Sequence, residues 1–271
     1  MINVRSVDLN LFKVENSNNK SMRIASWNIE RPRIDKGPDK NLFIIELIKE
    51  INLDILFLTE TNSIIDFSSE YFKLQTIPLP EDYEHCTYYD GENRVTIFSK
   101  YKFIDTSFDI YDPYTSVCGE VVTPFGKLVL YGSIIGSFGP VGSANMEYFQ
   151  KDLLGQQKDI RKLSEKGNLC YSGDFNMLFS SDWYRDGYPK EAVRDMNCFF
   201  EETHLVNKTG QNKDCVIHII LSEDFVKGLE VKSHMLPIKG ILFDHIKGRI
   251  SDHNLVMIDI VANTNVTGTT N

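Results

Sequence analysis

The stretch NLCYSGDFNM, residues 168–177, runs from apolar residues into a glycine, an aspartate and an asparagine. The apolar part predicts a buried strand, whereas Asp and Asn are poor strand formers and common turn residues. Alone, the stretch therefore predicts a strand that enters a turn. Asp174 and Asn176 are two residues apart, so in an extended chain their side chains would point to the same side.

The composition indicates a globular protein of ordinary character. The chain has 271 residues, 42% of them hydrophobic and 25% charged, with a net charge of −9. This size favours one large domain. The acidic charge argues against tight wrapping of a long polyanion, but it does not exclude an enzyme whose metal ion supplies positive charge locally.

Targeting and redox features predict a cytoplasmic protein without a membrane segment. The first twenty residues hold no continuous apolar run of the kind found in signal peptides, and no stretch approaches a membrane span. The five cysteines form no CxxC pair and are odd in number. We interpret them as buried free thiols in a reducing compartment.

Strand and helix patterns alternate along the chain and predict an α/β fold. Residues 1–21 are expected to form a leader, 22–261 the catalytic domain and 262–271 a tail. Three segments have helical periodicity, beginning at Pro38, Ser143 and Lys190. Apolar residues at 42, 45, 48 and 51 are expected to form the buried stripe of the first, and those at 146, 149, 153, 154, 160 and 163 that of the second. Strand patterns before and between the helices predict two packed mixed sheets with helices outside, a four-layer α/β sandwich.

Polar side chains stand where the predicted core strands end. Each alone fits a turn residue, a helix cap or a satisfied buried amide. Together they form a convergent set if the strands meet at one edge, and their oxygens suit Mg²⁺ or Mn²⁺ better than structural zinc. Such a set can hydrolyse a phosphate ester, with a carboxylate acting on water and a histidine and an amide donating to phosphoryl oxygens. Its members are Asn28, Glu60, Asp174, Asn176, Asp252 and His253.

Four blocks in this order, SWNIE, LDILFLTET, SGDFNM and SDHNLV, resemble the signature blocks of the endonuclease/exonuclease/phosphatase superfamily. They extend from residue 23 to residue 260, and their order and spacing make the match specific. The resemblance implies a four-layer α/β sandwich with a divalent-metal site at the strand ends.

The resemblance also implies a role for each block residue. Glu60 would be the main metal ligand, with Asn28 and Asp252 near the metal. Asp174 would orient or deprotonate the water, Asn176 would contact the scissile phosphate, and His253 would bind the phosphate. Catalytic residues would thus be Asp174, Asn176, Asp252 and His253, with Mg²⁺ or Mn²⁺ as cofactor.

Two positions depart from the family pattern. Ile217, followed by His218, stands where many relatives have an aspartate that holds the active-site histidine, so His253 is expected to be less well oriented. Asp244 or Asp214 are possible substitutes. The strand KLVLYGSIIG has no His or Tyr at the position where many relatives contact phosphate. Candidate substrate-binding residues are Ser133 at that position, Tyr131 one pleat away and Arg31 after the first block.

These features favour a metal-dependent phosphodiesterase, with a nuclease acting on DNA or RNA as the leading hypothesis. A nucleic acid substrate is expected, with no membrane and no evident protein partner. The first alternative is a phosphatase or phosphodiesterase acting on a phosphorylated metabolite or inositol phosphate, which the scarcity of clustered Lys and Arg favours. The second is a catalytically weakened binding protein of the same fold, for which Ile217 is the main argument.

Overall fold

Two six-stranded sheets form the protein in the computed structural model, which describes residues 20–35, 38–67, 69–83, 86–136, 143–180, 190–239 and 249–263. The strands are β1 (Ser21–Asn28), β2 (Ile55–Asn62), β3 (Phe72–Gln75), β4 (Asp82–Tyr83), β5 (Cys86–Thr87), β6 (Glu92–Ser99), β7 (Phe103–Asp105), β8 (Ser116–Thr123), β9 (Gly126–Ile134), β10 (Leu169–Asp174), β11 (Leu205–Asn207), β12 (Ile217–Ser222), β13 (Leu229–Leu236) and β14 (Leu255–Ala262). The helices are α1 (Pro38–Ile51), α2 (Ser143–Ser164), α3 (Lys190–Glu202) and α4 (Glu223–Val226).

Each large sheet contains one parallel pair among antiparallel neighbours. The first sheet has the order β13-β14-β1-β2-β6-β3 and the second β11-β12-β10-β9-β8-β7, while β4 and β5 form a separate hairpin. The parallel pairs are β1 with β2 and β9 with β10. Because the carboxyl ends of parallel neighbours share a sheet edge, each pair delivers two strand ends to the same place.

The hydrophobic core divides into three clusters that correspond to the spaces between four layers. The central cluster contains side chains from both sheets, such as Ile24 of β1 and Leu130 of β9. A second cluster joins the first sheet to α1, and a third joins the second sheet to α2 and α3. This arrangement confirms the predicted four-layer α/β sandwich of two mixed sheets flanked by helices.

The three long helices begin at the predicted residues. The buried residues of α1 and α2 agree only in part with the predicted stripes. In α1 the buried residues are Phe43, Ile44, Leu47, Ile48 and Ile51, whereas Leu42 is 50% exposed. Successive buried positions in this set are alternately one and three residues apart. This spacing follows the 3.6-residue period of a helix better than the expected constant spacing of three. In α2, Leu154 was expected on the buried stripe and is 59% exposed.

Some expectations concern cysteines, termini and loops. Cys118, Cys170 and Cys215 are buried free thiols as predicted, but Cys198 is exposed, which corrects that expectation. The expected leader and tail lie almost wholly outside the described residues, and Asp244, one of the two possible substitutes for the missing aspartate, lies outside them too. In the described part of the chain, no helix combines the length and the apolar character that crossing a membrane requires.

Candidate active site

The ends of β1, β2 and β10 bring an amide and two carboxylates together. Asn28 ends β1 and is fully buried; its Nδ2 donates to Oδ2 of Asp174, the last residue of β10, at 2.9 Å. The same amide also interacts with the Glu60 carboxylate and lowers the pKa of that acid against the larger effect of burial. The Asn28 oxygen accepts from the backbone N–H of Glu30 at 2.9 Å. Asn28 therefore presents its nitrogen, not its oxygen, to the acids, and ties the two sheets together across the site.

Several non-glycine residues at these strand ends adopt a left-handed backbone conformation. Glu60 has φ 47°, Asn176 has φ 50° and Glu30 has φ 53°. The pairing of β2 with β6 is interrupted at Glu60 and resumes in the same register at Thr61. Such conformations cost about 1–3 kcal/mol each and persist when the surroundings hold them, a pattern concentrated at functional sites.

The turn after β10 is held by the two polar residues that the sequence singled out. The backbone N–H of Asn176 donates to Oδ1 of Asp174 at 3.0 Å, and Asn176 Nδ2 donates to the carbonyl of Ile135 at 2.9 Å. Both Asp174 oxygens thus accept a hydrogen bond, which fixes the carboxylate. An amide group has two N–H donors, so one N–H of Asn176 is not used by the bond to Ile135.

Gly173 is required by the close approach of β10 to β9. Its φ is +145°, and a Cβ built on it would lie 1.8 Å from the carbonyl oxygen of Ser133. No side chain fits there, because the obstructing atom belongs to the backbone. The glycine of the SGDFNM stretch therefore sets the strand spacing directly before Asp174.

The segment before β14 closes the site from the other side. The indole N–H of Trp27 donates to the carbonyl of His253 at 3.1 Å, and Ser251 Oγ donates to the carbonyl of Asn28 at 2.7 Å. These bonds place the His253 imidazole beside Asp174, with 3.8 Å between Nε2 and Oδ2. His253 Nδ1 lies 2.6 Å from Oδ1 of Asp252.

The electrostatics of the cluster follow from burial and mutual charge. Burial raises the pKa of Asp174 and of Glu60. The negative charge of the neighbouring Asp252 raises the pKa of each carboxylate further. Burial lowers the pKa of His253, but the hydrogen bond to Asp252 and the charges of Asp174, Asp252 and Glu60 outweigh it and raise the pKa to about 9. Burial raises the pKa of Asp252, yet the contact with His253 and the charge of Arg249 reverse this and lower it. His253 is thus a cation at neutral pH.

His253 has a carboxylate partner in Asp252, although Ile217 stands where the sequence predicted that an orienting aspartate is missing. Ile217 packs into the central core opposite Asp174, and the next residue, His218, faces the other side of the sheet. Asp214 pairs with Lys239 at 2.9 Å and is not the substitute. Because Asp252 Oδ1 contacts His253 Nδ1, the imidazole has an orienting carboxylate despite Ile217.

The three candidate substrate-binding residues are not gathered at the cluster. Tyr131 is fully buried and its hydroxyl donates to Asp159 at 2.9 Å, in the cluster under α2. Ser133 lies on the same face of β9, since side chains alternate along a strand, and its buried hydroxyl has no hydrogen-bond partner within the described residues. Arg31 is next to Glu60 through its backbone, but its guanidinium pairs with Glu92 at 2.9 Å.

The end of β9 is held from the α2 side by a buried glutamine. Gln156 Nε2 donates to the carbonyl of Ile134 at 2.9 Å, and its Oε1 accepts from the Tyr171 hydroxyl at 2.9 Å. Ile134 precedes the Ile135 carbonyl that binds Asn176. Gln156 therefore supports the turn from behind without touching the acids.

Three charged residues around the cluster, Glu30, Lys40 and Arg249, were assigned no role from the sequence. The Glu30 carboxylate accepts from Arg249 Nε at 2.8 Å, and Arg249 Nη2 lies 3.5 Å from Asp252 Oδ2. Lys40, in the first turn of α1, donates from Nζ to the carbonyl of Glu30 at 3.1 Å. Glu30 is the last residue of the SWNIE block and Arg249 directly precedes the ISDH motif, which was a usable signal, whereas no local pattern marks Lys40.

The donor set fits a hard divalent cation held by few protein ligands. The described residues contain no group of three His, Cys, Asp or Glu side chains that could hold an ion by themselves. Mg²⁺ commonly retains several waters and is bound through one or two carboxylates together with substrate phosphates. Glu60 and Asp174 supply such carboxylates; burial raises the pKa of both, and the charge of Asp252 adds to it in each case.

Comparisons with known proteins agree with this architecture. Residues 25–217 match the sequence model of the Endonuclease/Exonuclease/phosphatase family. No curated protein matches the sequence.

Similar solved structures share the fold at low sequence identity. An AP endonuclease from Archaeoglobus fulgidus is 14% identical, with a TM-score of 0.63 over 88% of this chain and 98% of that chain. The 3′ phosphatase NExo from Neisseria, bound to a product DNA hairpin, is 15% identical with a TM-score of 0.62 over 88% and 98%. An endonuclease/exonuclease/phosphatase from Beutenbergia cavernae is 16% identical, with a TM-score of 0.61 over 90% and 72%.

Proposed function

This chain belongs to the endonuclease/exonuclease/phosphatase family, and we propose that it is a divalent-metal-dependent phosphodiesterase that hydrolyses nucleic acid. Members of this family are phosphoric ester hydrolases. The observation that carries the proposal is the series of contacts from Asn28 through Asp174 to the His253–Asp252 pair, with Glu60 beside it. Asn28 and Asp252 form hydrogen bonds to Asp174 and His253, and the Asp174 carboxylate lies 3.8 Å from the His253 imidazole. A carboxylate next to a cationic imidazole is the equipment needed to activate water and to stabilise a phosphorane-like transition state.

Asp174 is the proposed general base. Its orientation is fixed by the donors Asn28 and Asn176 at 2.9 and 3.0 Å, and each oxygen retains a lone pair for water. The water adds to phosphorus and its proton passes to Asp174. The bond from phosphorus to the leaving oxygen breaks, and solvent reprotonates that oxygen.

His253 and Asn176 are the proposed donors to the phosphoryl group. His253 directs Nδ1–H to Asp252, so Nε2–H is left for a phosphoryl oxygen near Asp174. Asp252 acts on the reaction through His253, a positioning role that fits its two contacts better than direct metal binding. Glu60 is the proposed metal ligand, and Asn28 holds Glu60 and Asp174 in place. When bound, Mg²⁺ or Mn²⁺ would neutralise charge on the phosphoryl oxygens.

The proposal is tested with a plasmid, an abasic oligonucleotide, single-stranded RNA and bis-p-nitrophenyl phosphate. Hydrolysis should require Mg²⁺ or Mn²⁺ and stop with EDTA. Asp174→Asn and His253→Ala should each lower kcat by about 10²-fold or more, as expected for loss of a positioned acid or base. Asp105→Asn, at an exposed aspartate, is the matched control. Full turnover in either site variant, with circular dichroism showing a folded protein, would contradict the assigned site.

One observation favours a second candidate, a phosphatase or phosphodiesterase acting on a small phosphorylated molecule. The net charge of −9 leaves little general attraction for a long polyanion. Inositol polyphosphates added to the same substrate panel distinguish the two, since a metabolite enzyme should hydrolyse them with a higher kcat/KM than any polynucleotide.

A further inference from the structure

Lys40 is a cation at the edge of the active site without a carboxylate of its own. Its side chain is partly buried, and Nζ donates to the Glu30 carbonyl at 3.1 Å. Among the described residues, no carboxylate oxygen lies within ion-pair distance of this amine. Burial lowers the pKa of Lys40, and the charged groups that act on it are Glu30, Asp252, Arg249 and Glu60. Lys40 lies near these acids but forms an ion pair with none of them, so its remaining N–H groups are available to an anionic ligand.

Arg249 is a second cation anchored on the same residue. Its guanidinium binds the Glu30 carboxylate through Nε at 2.8 and 2.9 Å and also through Nη2. Its side chain is 50% exposed, and in the part of the chain that is described Nη1 has no hydrogen-bond partner. Arg249 can therefore keep its pair with Glu30 and still offer an N–H to a ligand.

Glu30 brings these two cations together next to the scissile-phosphate position. Its backbone carbonyl accepts a hydrogen bond from Lys40, and its carboxylate accepts hydrogen bonds from Arg249. Its backbone N–H donates to the side-chain oxygen of Asn28, whose amide nitrogen lies against Asp174 and Glu60. The left-handed φ of 53° turns the chain at this point. One residue, Glu30, thus holds two positive groups beside the acids of the proposed reaction centre.

We propose that Lys40 and Arg249 form a subsite for a second phosphate group of the substrate, adjacent to the one that is hydrolysed. This inference rests on the proposed function, because it assigns the scissile phosphate to the Asp174–His253 region. The remaining guanidinium N–H groups of Arg249, next to the ammonium of Lys40, can donate charge-assisted hydrogen bonds to a phosphate dianion. In a chain of net charge −9, a local cation pair offers selective attraction for substrates that carry neighbouring phosphates.

The test compares dinucleotides that differ in one terminal phosphate. We expect the kcat/KM of pdTpdT or of dTpdTp to exceed that of dTpdT by about tenfold or more, the value of a charge-assisted contact. Lys40→Met and Arg249→Gln should each reduce this ratio towards one, and Lys40→Arg should retain most of it. Lys49→Met, in the last turn of the same helix and far along it, is the control.

The ratio separates a binding subsite from structural support. If Lys40 only supports the Glu30 carbonyl, Lys40→Met lowers activity on all dinucleotides equally and the ratio stays, which overturns the proposal. A wild-type ratio near one also overturns it, while hydrolysis of dTpdT still supports the proposed function. A preference for inositol bisphosphate over monophosphate that Lys40→Met abolishes supports the same subsite with a metabolite as its source.

Equilibrium binding decides the case in which nothing is hydrolysed. Fluorescence anisotropy of labelled pdTpdT and dTpdT, with Ca²⁺ present, measures the same preference without turnover. Tighter binding of pdTpdT that Lys40→Met removes supports the subsite even though the proposed function fails. Equal binding of the two dinucleotides overturns the subsite as well.

Discussion

Lowering the pH from 7 to 5 should destabilise this protein through one buried histidine, His218. Its ring is fully buried beside Phe175 and Phe179. Nε2 lies 3.0 Å from the Met177 carbonyl, and Nδ1 lies 3.3 Å from Thr209 Oγ1. A carbonyl accepts only, so Nε2 carries the proton and Nδ1 is the acceptor, which describes a neutral imidazole.

The magnitude follows from the pKa. Burial lowers the pKa of His218 to about 4, although backbone contacts oppose it. An unfolded histidine titrates near pH 6.5, so between these values the unfolded chain binds more protons than the folded one. Stability is therefore unaffected by this group above about pH 6.5 and falls as the pH drops towards 4. The loss is about 2 kcal/mol at pH 5 and about 3 kcal/mol at pH 4.

The assay is urea unfolding at several pH values between 4 and 7.5, for the wild type and for His218→Gln. Glutamine can donate and accept but does not titrate in this range. The stability difference between the two proteins should shift by about 2 kcal/mol in favour of the variant between pH 7 and pH 5. His204→Gln, at a side chain that is 84% exposed, is the matched control.

Taking the difference between proteins removes the carboxylate titrations that both share. Parallel curves for wild type and His218→Gln over the whole range would refute the reasoning, because they would mean that the folded protein accepts the proton on His218 without cost. A shift of equal size in His204→Gln would refute it too.

Two further predictions concern residues that shape the site without touching substrate. Gly173→Ala should lower the free energy of unfolding by about 3 kcal/mol or more in a urea titration, because the new Cβ meets the Ser133 carbonyl at 1.8 Å, whereas Gly167→Ala, which meets nothing within 4 Å, should be nearly neutral. Gln156→Leu should cost about 2 kcal/mol by leaving a buried carbonyl and a tyrosine hydroxyl unpaired, while Gln150→Leu, on the exposed side of α2, should not; equal melting temperatures for the two glutamine variants would contradict this.

Much of the fold could be read from local patterns. Pro38 and the acidic residue after it marked the start of α1, and alternating apolar segments marked the strands. Leu154 was wrongly predicted to be buried. It follows the buried Leu153 by one residue, which places it at the edge of the buried face of α2, where an apolar side chain can lie on either side. Which side is buried depends on the sheet that packs against the helix, and the sequence of the helix does not contain that information.

The candidate site shows the same limit. The polar strand ends were found because they conflict with strand propensity, so Asn28, Glu60 and Asp174 stood out. Ser133 and Tyr131 were proposed from an alignment position, but strand alternation directs them to the α2 side. The contact between Asp252 and His253 depends on how the segment before β14 docks onto Trp27, which involves residues 226 apart.

The order in which the chain leaves the ribosome has a consequence for when hydrolysis can begin. β14 lies between β13 and β1 in the first sheet, so β1 cannot complete its pairing until residue 262 is available. His253 lies in the same late segment, so the indole N–H of Trp27 cannot form its hydrogen bond to the His253 carbonyl before that segment is synthesised. A nascent chain that already contains Asp174 and Glu60 is therefore an incomplete hydrolase, and activity should arise abruptly with the final strand rather than grow with chain length.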